Sequence, residues 1–212
     1  MHILISDYSG HPFQAQLSRE LARRGHRVTH LHFAGFQTPK GDLALRPGDP
    51  AGLAFEAILL EKPFAKSTFV ARWRQENQVG ARIAARITAL RPDVVISSNA
   101  PLDTQRHIQR AARRIGAKFV FWLQDIYSRG IASVVERKFP VVGHLIAGWY
   151  RHLEFAMLRK SDRVVAITED FRPILVGAWA ADARIAVIEN WAPLDEIPPM
   201  PRGSRWANAY FQ

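Results

Sequence analysis

Cysteine is absent from the 212 residues. That removes disulfides, thiolate metal sites and cysteine nucleophiles together, and it fits a cytoplasmic setting. Long apolar runs are also missing, since no segment approaches the roughly 20 residues that span a bilayer. The opening Met1-His2-Ile3-Leu4-Ile5-Ser6-Asp7 reaches an acid too soon for a signal peptide. The 8 histidines show no H-E-x-x-H or comparable ligand spacing, so no metal is expected. No G-x-S-x-G or triad-like pattern occurs either. In place of G-x-G-x-x-G the first loop holds Gly10 alone, and His32-Phe33-Ala34-Gly35 stands where a ribose-binding acid would end the second strand. Both absences count against a dinucleotide oxidoreductase.

Acids are in the minority: 19 Asp and Glu face 29 Lys and Arg, a net charge of +10. Such a balance suits an anionic membrane surface, phosphorylated substrates or nucleic acid, and equally a chain whose arginines coat its helices. The arginines are scattered over several helical segments, and no zinc-finger or RNP motif accompanies them. Nucleic acid is therefore the weaker reading.

At 48% hydrophobic the chain can bury a full core. Strand-like segments at residues 2–6, 26–33, 53–60, 93–97, 118–123, 163–167 and 184–188 alternate with helical patterns. Phe13, Leu17, Leu21 and Ala22 share a face of the first helix, which Gly25 stops. A long helical stretch at 63–90 places Phe69, Trp73, Ile83, Ile87 and Leu90 on one side. The stretch 141–159 repeats apolar residues at three and four, with Trp149 expected in the core. This pattern predicts an α/β fold, a Rossmann-like parallel sheet of about seven strands with helices on both faces. Residues 1–190 form the expected domain. The proline-rich stretch 191–212 is expected to link it to a second domain outside this chain.

Ligands of such sheets bind beyond the carboxyl ends of the strands, which selects the loops worth reading. Gly10 could bring backbone N–H groups to a phosphate or sugar, or simply make the turn. His11 beside it could donate to a substrate oxygen. Ser97-Ser98-Asn99-Ala100-Pro101 gathers short polar groups that suit hydroxyl recognition, and Ser98 or Asn99 could equally cap the next helix. In Gln124-Asp125-Ile126-Tyr127 the carboxylate follows a buried strand at the mouth of the cleft. There Asp125 could orient or deprotonate an attacking hydroxyl, or else cap a turn or pair with Arg129.

Three segments carry a family resemblance. Ser161-Asp162-Arg163-Val164-Val165-Ala166-Ile167-Thr168-Glu169 is similar to an "ADxVIAxSE" stretch, and Val187-Ile188-Glu189-Asn190-Trp191-Ala192-Pro193-Leu194-Asp195 to a "VIPNGVD" strand end. Gly25-His26-Arg27-Val28-Thr29 matches "RGHxV". In this order they resemble the N-terminal half of retaining GT-B glycosyltransferases, family 4 (group 1). With Phe121-Trp122-Leu123-Gln124-Asp125 upstream, the nearest branch resembles colanic-acid and other surface-polysaccharide transferases.

The resemblance implies an acceptor-binding domain whose nucleotide-sugar is a co-substrate, held mainly by the absent C-terminal domain, with no cofactor. It implies Asp125, as the catalytic position, and Gln124 on the acceptor side of the cleft, and the loops themselves add Ser98, Asn99 and Tyr127 around the acceptor. Gly10 and His11 fall in the donor-side loop, and Thr168, Glu169 and Asn190 at the interdomain cleft. The acceptor it implies is a lipid-linked saccharide. That gives the charge a use at the inner face of the membrane, through segments 62–86 (with Lys66, Arg72 and Arg74) or 137–151. The alternative is a non-catalytic docking module that recruits a separate donor-binding subunit.

Overall fold

The computed structural model describes residues 1–35, 40–65, 68–98, 100–177 and 182–194. Its strands are β1 (His2–Asp7), β2 (Arg27–Phe33), β3 (Leu53–Ile58), β4 (Val94–Ser98), β5 (Lys118–Leu123), β6 (Arg163–Ala166) and β7 (Ile185–Val187). They form one 7-stranded sheet in the order β3-β2-β1-β4-β5-β6-β7, and every pairing is parallel. The helices are α1 (Pro12–Arg23), α2 (Phe69–Leu90), α3 (Leu102–Arg114), α4 (Tyr127–Lys138), α5 (Val142–Arg159) and α6 (Arg172–Gly177). This is the α/β Rossmann-like fold that the alternation predicts.

The central strands direct apolar residues to both faces because both faces are covered. Side chains alternate across a strand, so Ile3 and Ile5 pack with Val28, Leu53 and Ala22 under α1. Leu4 points the other way, joining Leu31, Val95, Phe119 and Phe121 beneath Ile83 of α2, Ile108 of α3 and Met157 of α5. The strand order runs outward in both directions from the β1–β4 pair, and the crevice at that reversal is where such sheets bind ligands.

Two segments depart from expectation. Helix α2 begins at Phe69 rather than residue 63, and α4 lies between the loop at 124–127 and the helical stretch at 141–159, where the sequence reading places no element. Nothing local caps α4: its N-cap position is Ile126, with no side-chain bond. The cap comes from elsewhere, since buried Glu154 of α5 accepts the N–H groups of Tyr127 at 2.9 Å and Ser128 at 3.1 Å. The α4–α5 hairpin closes tightly at Gly143, where a Cβ would lie 2.8 Å from the Glu136 Cα.

Trp149 is not a core residue: it is 52% exposed, with the Arg106 guanidinium 5.9 Å from its ring centroid. Phe69 and Trp73 are exposed as well, because the first turns of α2 run past the part of the helix that packs through Val79, Ile83 and Ile87.

Candidate functional site

A cavity of about 640 Å³ opens at the carboxyl end of the sheet, between the first turns of α2 and α3 and the α4–α5 hairpin. Its walls are largely apolar: Phe69 and Trp73 from α2, Leu102 from α3, Ile131 and Val134 from α4, and Tyr150 from α5. Four charged side chains also line it, namely Arg72, Glu76, Asp103 and Asp125. Apolar walls with a few polar groups are what small-molecule sites are built from.

The charged groups differ in their freedom. Arg72 Nε donates to Glu76 Oε1 at 2.8 Å, one turn apart on α2. Burial pushes the Glu76 carboxyl above its ordinary range, with the bond from Arg72 pulling the other way. The Tyr150 hydroxyl donates to Asp103 Oδ2 at 2.6 Å, and burial, with that carboxylate beside it, raises the phenol. Tyr127 is likewise raised, by burial first and the Asp125 charge second. Asp125 itself is exposed. It does not cap α4 and does not pair with Arg129; among the described residues it has no hydrogen bond or ion pair. The cavity therefore carries one carboxylate ready to accept a hydroxyl.

Beside the cavity, the chain after β7 crosses back over the strand ends. Asn190 Nδ2 donates to Gln124 Oε1 at 2.6 Å. Trp191 Nε1 donates to Gln16 Oε1 at 2.8 Å, and its ring stacks 6.1 Å from that of Trp122. Phe13 of α1 closes the group edge-on to both indoles.

The loop after β1 is organised by its own acid. Buried Asp7 accepts the N–H groups of Ser9 at 3.1 Å and Gly10 at 2.7 Å. Gly10, at φ +80°, is overlaid by Lys40 and Leu43. The Gly10 amide that the sequence offers to a phosphate thus already has an acceptor. His11 stacks on Phe13 at 5.4 Å. The structure also brings Asp7, His30 and Ser18 into line: His30 Nε2 lies 3.5 Å from Asp7 Oδ2, and His30 Nδ1 lies 2.7 Å from Ser18 Oγ. All three are fully buried, so this Ser-His-Asp array is core structure and presents no nucleophile.

Of the residues singled out from sequence, Asp125 and Tyr127 line the cavity and Gln124 anchors the returning chain. Ser98 is buried with an unpartnered hydroxyl and caps nothing, because Pro101 holds the N-cap position of α3. Asn99 and Lys66 lie outside the described residues, as does 195–212 of the expected linker. Thr168 caps the short turn Glu169–Phe171 by accepting the Asp170 N–H at 3.3 Å. Glu169 is held by Arg172 at 2.7 Å, which lowers its carboxyl. Glu76, Asp103 and Tyr150 have no place in the sequence reading, and Arg72 and Trp73 enter it only as parts of a helix face or membrane segment, although the aromatic pair at 69 and 73 beside a basic and an acidic residue is a usable signal for a site.

Among the described residues no group of 3 or more His, Asp or Glu could hold a metal ion. No helix among them is long and apolar enough to cross a membrane.

An all-parallel sheet with a ligand-sized cavity at its carboxyl end is the architecture of one half of a GT-B glycosyltransferase. The chain belongs to glycosyltransferase family 4, whose family model matches residues 14–196. No curated protein matches it. Among solved structures it is similar to HepE from Anabaena in complex with UDP and glucose, at 16% identity and TM-score 0.50, over 94% of this chain and 47% of that one. It is also similar to LpCGTa in complex with UDP, at 11% identity and TM-score 0.55, over 98% of this chain and 56% of that one. UDP-GlcNAc 2-epimerase from Methanocaldococcus jannaschii matches at 13% identity and TM-score 0.50, over 90% and 46%. The chain thus spans about half the length of these structures. The likeness is one of fold, and the presence of an epimerase illustrates that a fold does not fix a reaction.

Proposed function

We propose that this chain is the acceptor-side half of a retaining glycosyltransferase, moving a sugar from a nucleotide-sugar to a lipid-linked saccharide in surface-polysaccharide assembly. The observation that carries the reading is Asp125, an unpaired carboxylate on the wall of an apolar cavity at the carboxyl end of the sheet. In this reading Asp125 accepts a hydrogen bond from the acceptor hydroxyl and holds its oxygen beside the anomeric carbon. The bond from that carbon to the diphosphate breaks as the bond to the acceptor oxygen forms on the same face. The hydroxyl proton leaves with the departing diphosphate, so no enzymic nucleophile is needed. Donor contacts come mainly from a second domain, and this half alone binds acceptor without turnover.

The walls support an amphiphilic acceptor. Phe69, Val70 and Trp73 on one side, with Val134, Val142 and Leu145 on the other, are exposed large apolar residues around the cavity and along the hairpin. An apolar rim of this kind suits contact with lipid. Arg72, expected in a membrane patch, pairs with Glu76 at 2.8 Å and stays partly exposed at the cavity rim.

Calorimetric titration of this chain with methyl glucoside and with octyl glucoside below its micelle concentration tests the reading. Octyl glucoside should bind more tightly, and Trp73→Ala should remove the difference. Equal affinities for the two glucosides would count against an amphiphilic acceptor in this cavity.

A further inference from the structure

We propose that the groove between α3 and α5 is a binding site for a phosphate-bearing anion, held by Arg106, Arg110, Arg113 and Lys160 beside the ring of Trp149. The groove is a separate cavity of about 280 Å³, and no carboxylate lines it. Arg106, Arg110 and Arg113 fall at i, i+4 and i+7, one stripe of α3. Like charges at that spacing repel and weaken a helix unless something neutralises them.

Some arginines of the chain have carboxylate partners, as Arg19 does in Asp49 at 3.2 Å, Arg72 in Glu76 at 2.8 Å, Arg86 in Glu56 at 2.8 Å and Arg172 in Glu169 at 2.7 Å. Others stand singly on the surface, and what sets the groove apart is that its cations converge on one cavity. The four cations of the groove have no ion pair among the described residues. Arg113 bonds only a backbone oxygen, that of Lys160, at 3.2 Å. The nearby carboxylate of Asp162 is already engaged, by Lys118 at 3.0 Å and by the Phe119 N–H at 2.9 Å.

The groove is also held open by built contacts. Gln109 on α3 donates to the Met157 carbonyl at 2.8 Å and to Ser161 Oγ at 3.1 Å, fixing the helix spacing at its floor. Four cations around one small cavity call for a ligand bearing more than one charge, and the guanidinium fork matches phosphate oxygens in pairs. Arg106 lies one turn beyond Asp103 and Trp149 adjoins Tyr150, so the groove begins where the acceptor cavity ends. The proposal goes beyond the transferase reading and does not depend on it. The phosphate has two possible sources, a free organic phosphate or the headgroup of an anionic lipid.

The test titrates the full chain with sodium pyrophosphate at low salt by calorimetry. In parallel, it measures flotation with phosphatidylcholine vesicles with and without phosphatidylglycerol. Arg110→Gln combined with Arg113→Gln is compared with Arg23→Gln combined with Arg24→Gln, an equal loss of charge on α1. All four side chains are exposed, so melting temperatures should stay close to wild type and exclude misfolding. Binding of at least one probe is expected, weakened about tenfold or more by the α3 pair and much less by the α1 pair, the factor for losing a charge-assisted bond. Pyrophosphate binding alone assigns the free ligand, and vesicle binding alone assigns the headgroup. Failure of both probes to bind, or equal weakening by the two pairs, would overturn the proposal. Glucoside binding at the neighbouring cavity is read separately, so the two ideas can fail independently.

Discussion

Glu154 and Tyr127 meet across two helices: the buried carboxylate accepts the Tyr127 N–H at 2.9 Å and so fixes where α4 begins, two residues after Asp125. The bond links the core of α5 to the wall of the cavity. It also explains how α4 forms without a local cap. Burial raises the Glu154 carboxyl, with the bonds from Ser128 and Tyr127 acting against that rise.

Glu154→Ala should destabilise the protein by about 1–3 kcal/mol, because two buried N–H groups lose their acceptor. Glu154→Gln keeps an acceptor and should cost less. Urea unfolding of both variants checks the order, and equal costs would contradict the capping role.

Arg19 is the internal tie of the loop after β2. It is 2% exposed and donates to Asp49 at 3.2 Å, the Asp42 carbonyl at 3.0 Å and the Ala44 carbonyl at 2.7 Å. Arg19→Ala leaves a buried Asp49 unpaired and should cost about 3–5 kcal/mol. Limited proteolysis should then cut within residues 40–52, and resistance equal to wild type would refute the assignment.

His32 should make stability depend on pH. Burial, then the neighbouring charges of His30 and Lys40, lowers its pKa from 6.5 to about 4. The unfolded chain therefore binds the extra proton between those values, so stability is full above pH 6.5 and falls as pH drops toward 4. Glu76 and Glu154, with raised carboxyls, act in the opposite direction. The comparison that isolates the histidine is the melting temperature of wild type against His32→Asn, which should lose less between pH 7 and 4.5, values of about the range over which a free histidine titrates. Parallel curves would remove His32 as the cause.

The sheet was legible because both its faces are covered, which leaves strands such as β4 and β5 with unbroken apolar runs, Val94–Ile96 and Phe119–Leu123. The helix starts were less so. At α4 the cap lies 27 residues away on Glu154, where no local pattern can reveal it. In α2 the aromatic pair Phe69 and Trp73 continues the apolar stripe of Ile83 and Ile87, and one sequence cannot say where a stripe passes the edge of the core. The cavity needed that information, since Phe69, Arg72 and Trp73 of the overhang form one of its walls. Asp125 was readable from its place after a buried strand, whereas the absence of a partner for it was not. The Ser-His-Asp array was invisible because Asp7, Ser18 and His30 come from three different elements.

The central claim, that Asp125 positions the acceptor hydroxyl, is tested most directly by turnover of Asp125→Asn in a protein carrying both domains. The account predicts a fall in kcat of about 100-fold, the cost of a misplaced reacting group, with the KM for the nucleotide-sugar and the melting temperature unchanged. Wild-type turnover in that variant, or a loss of donor affinity in place of turnover, would contradict it.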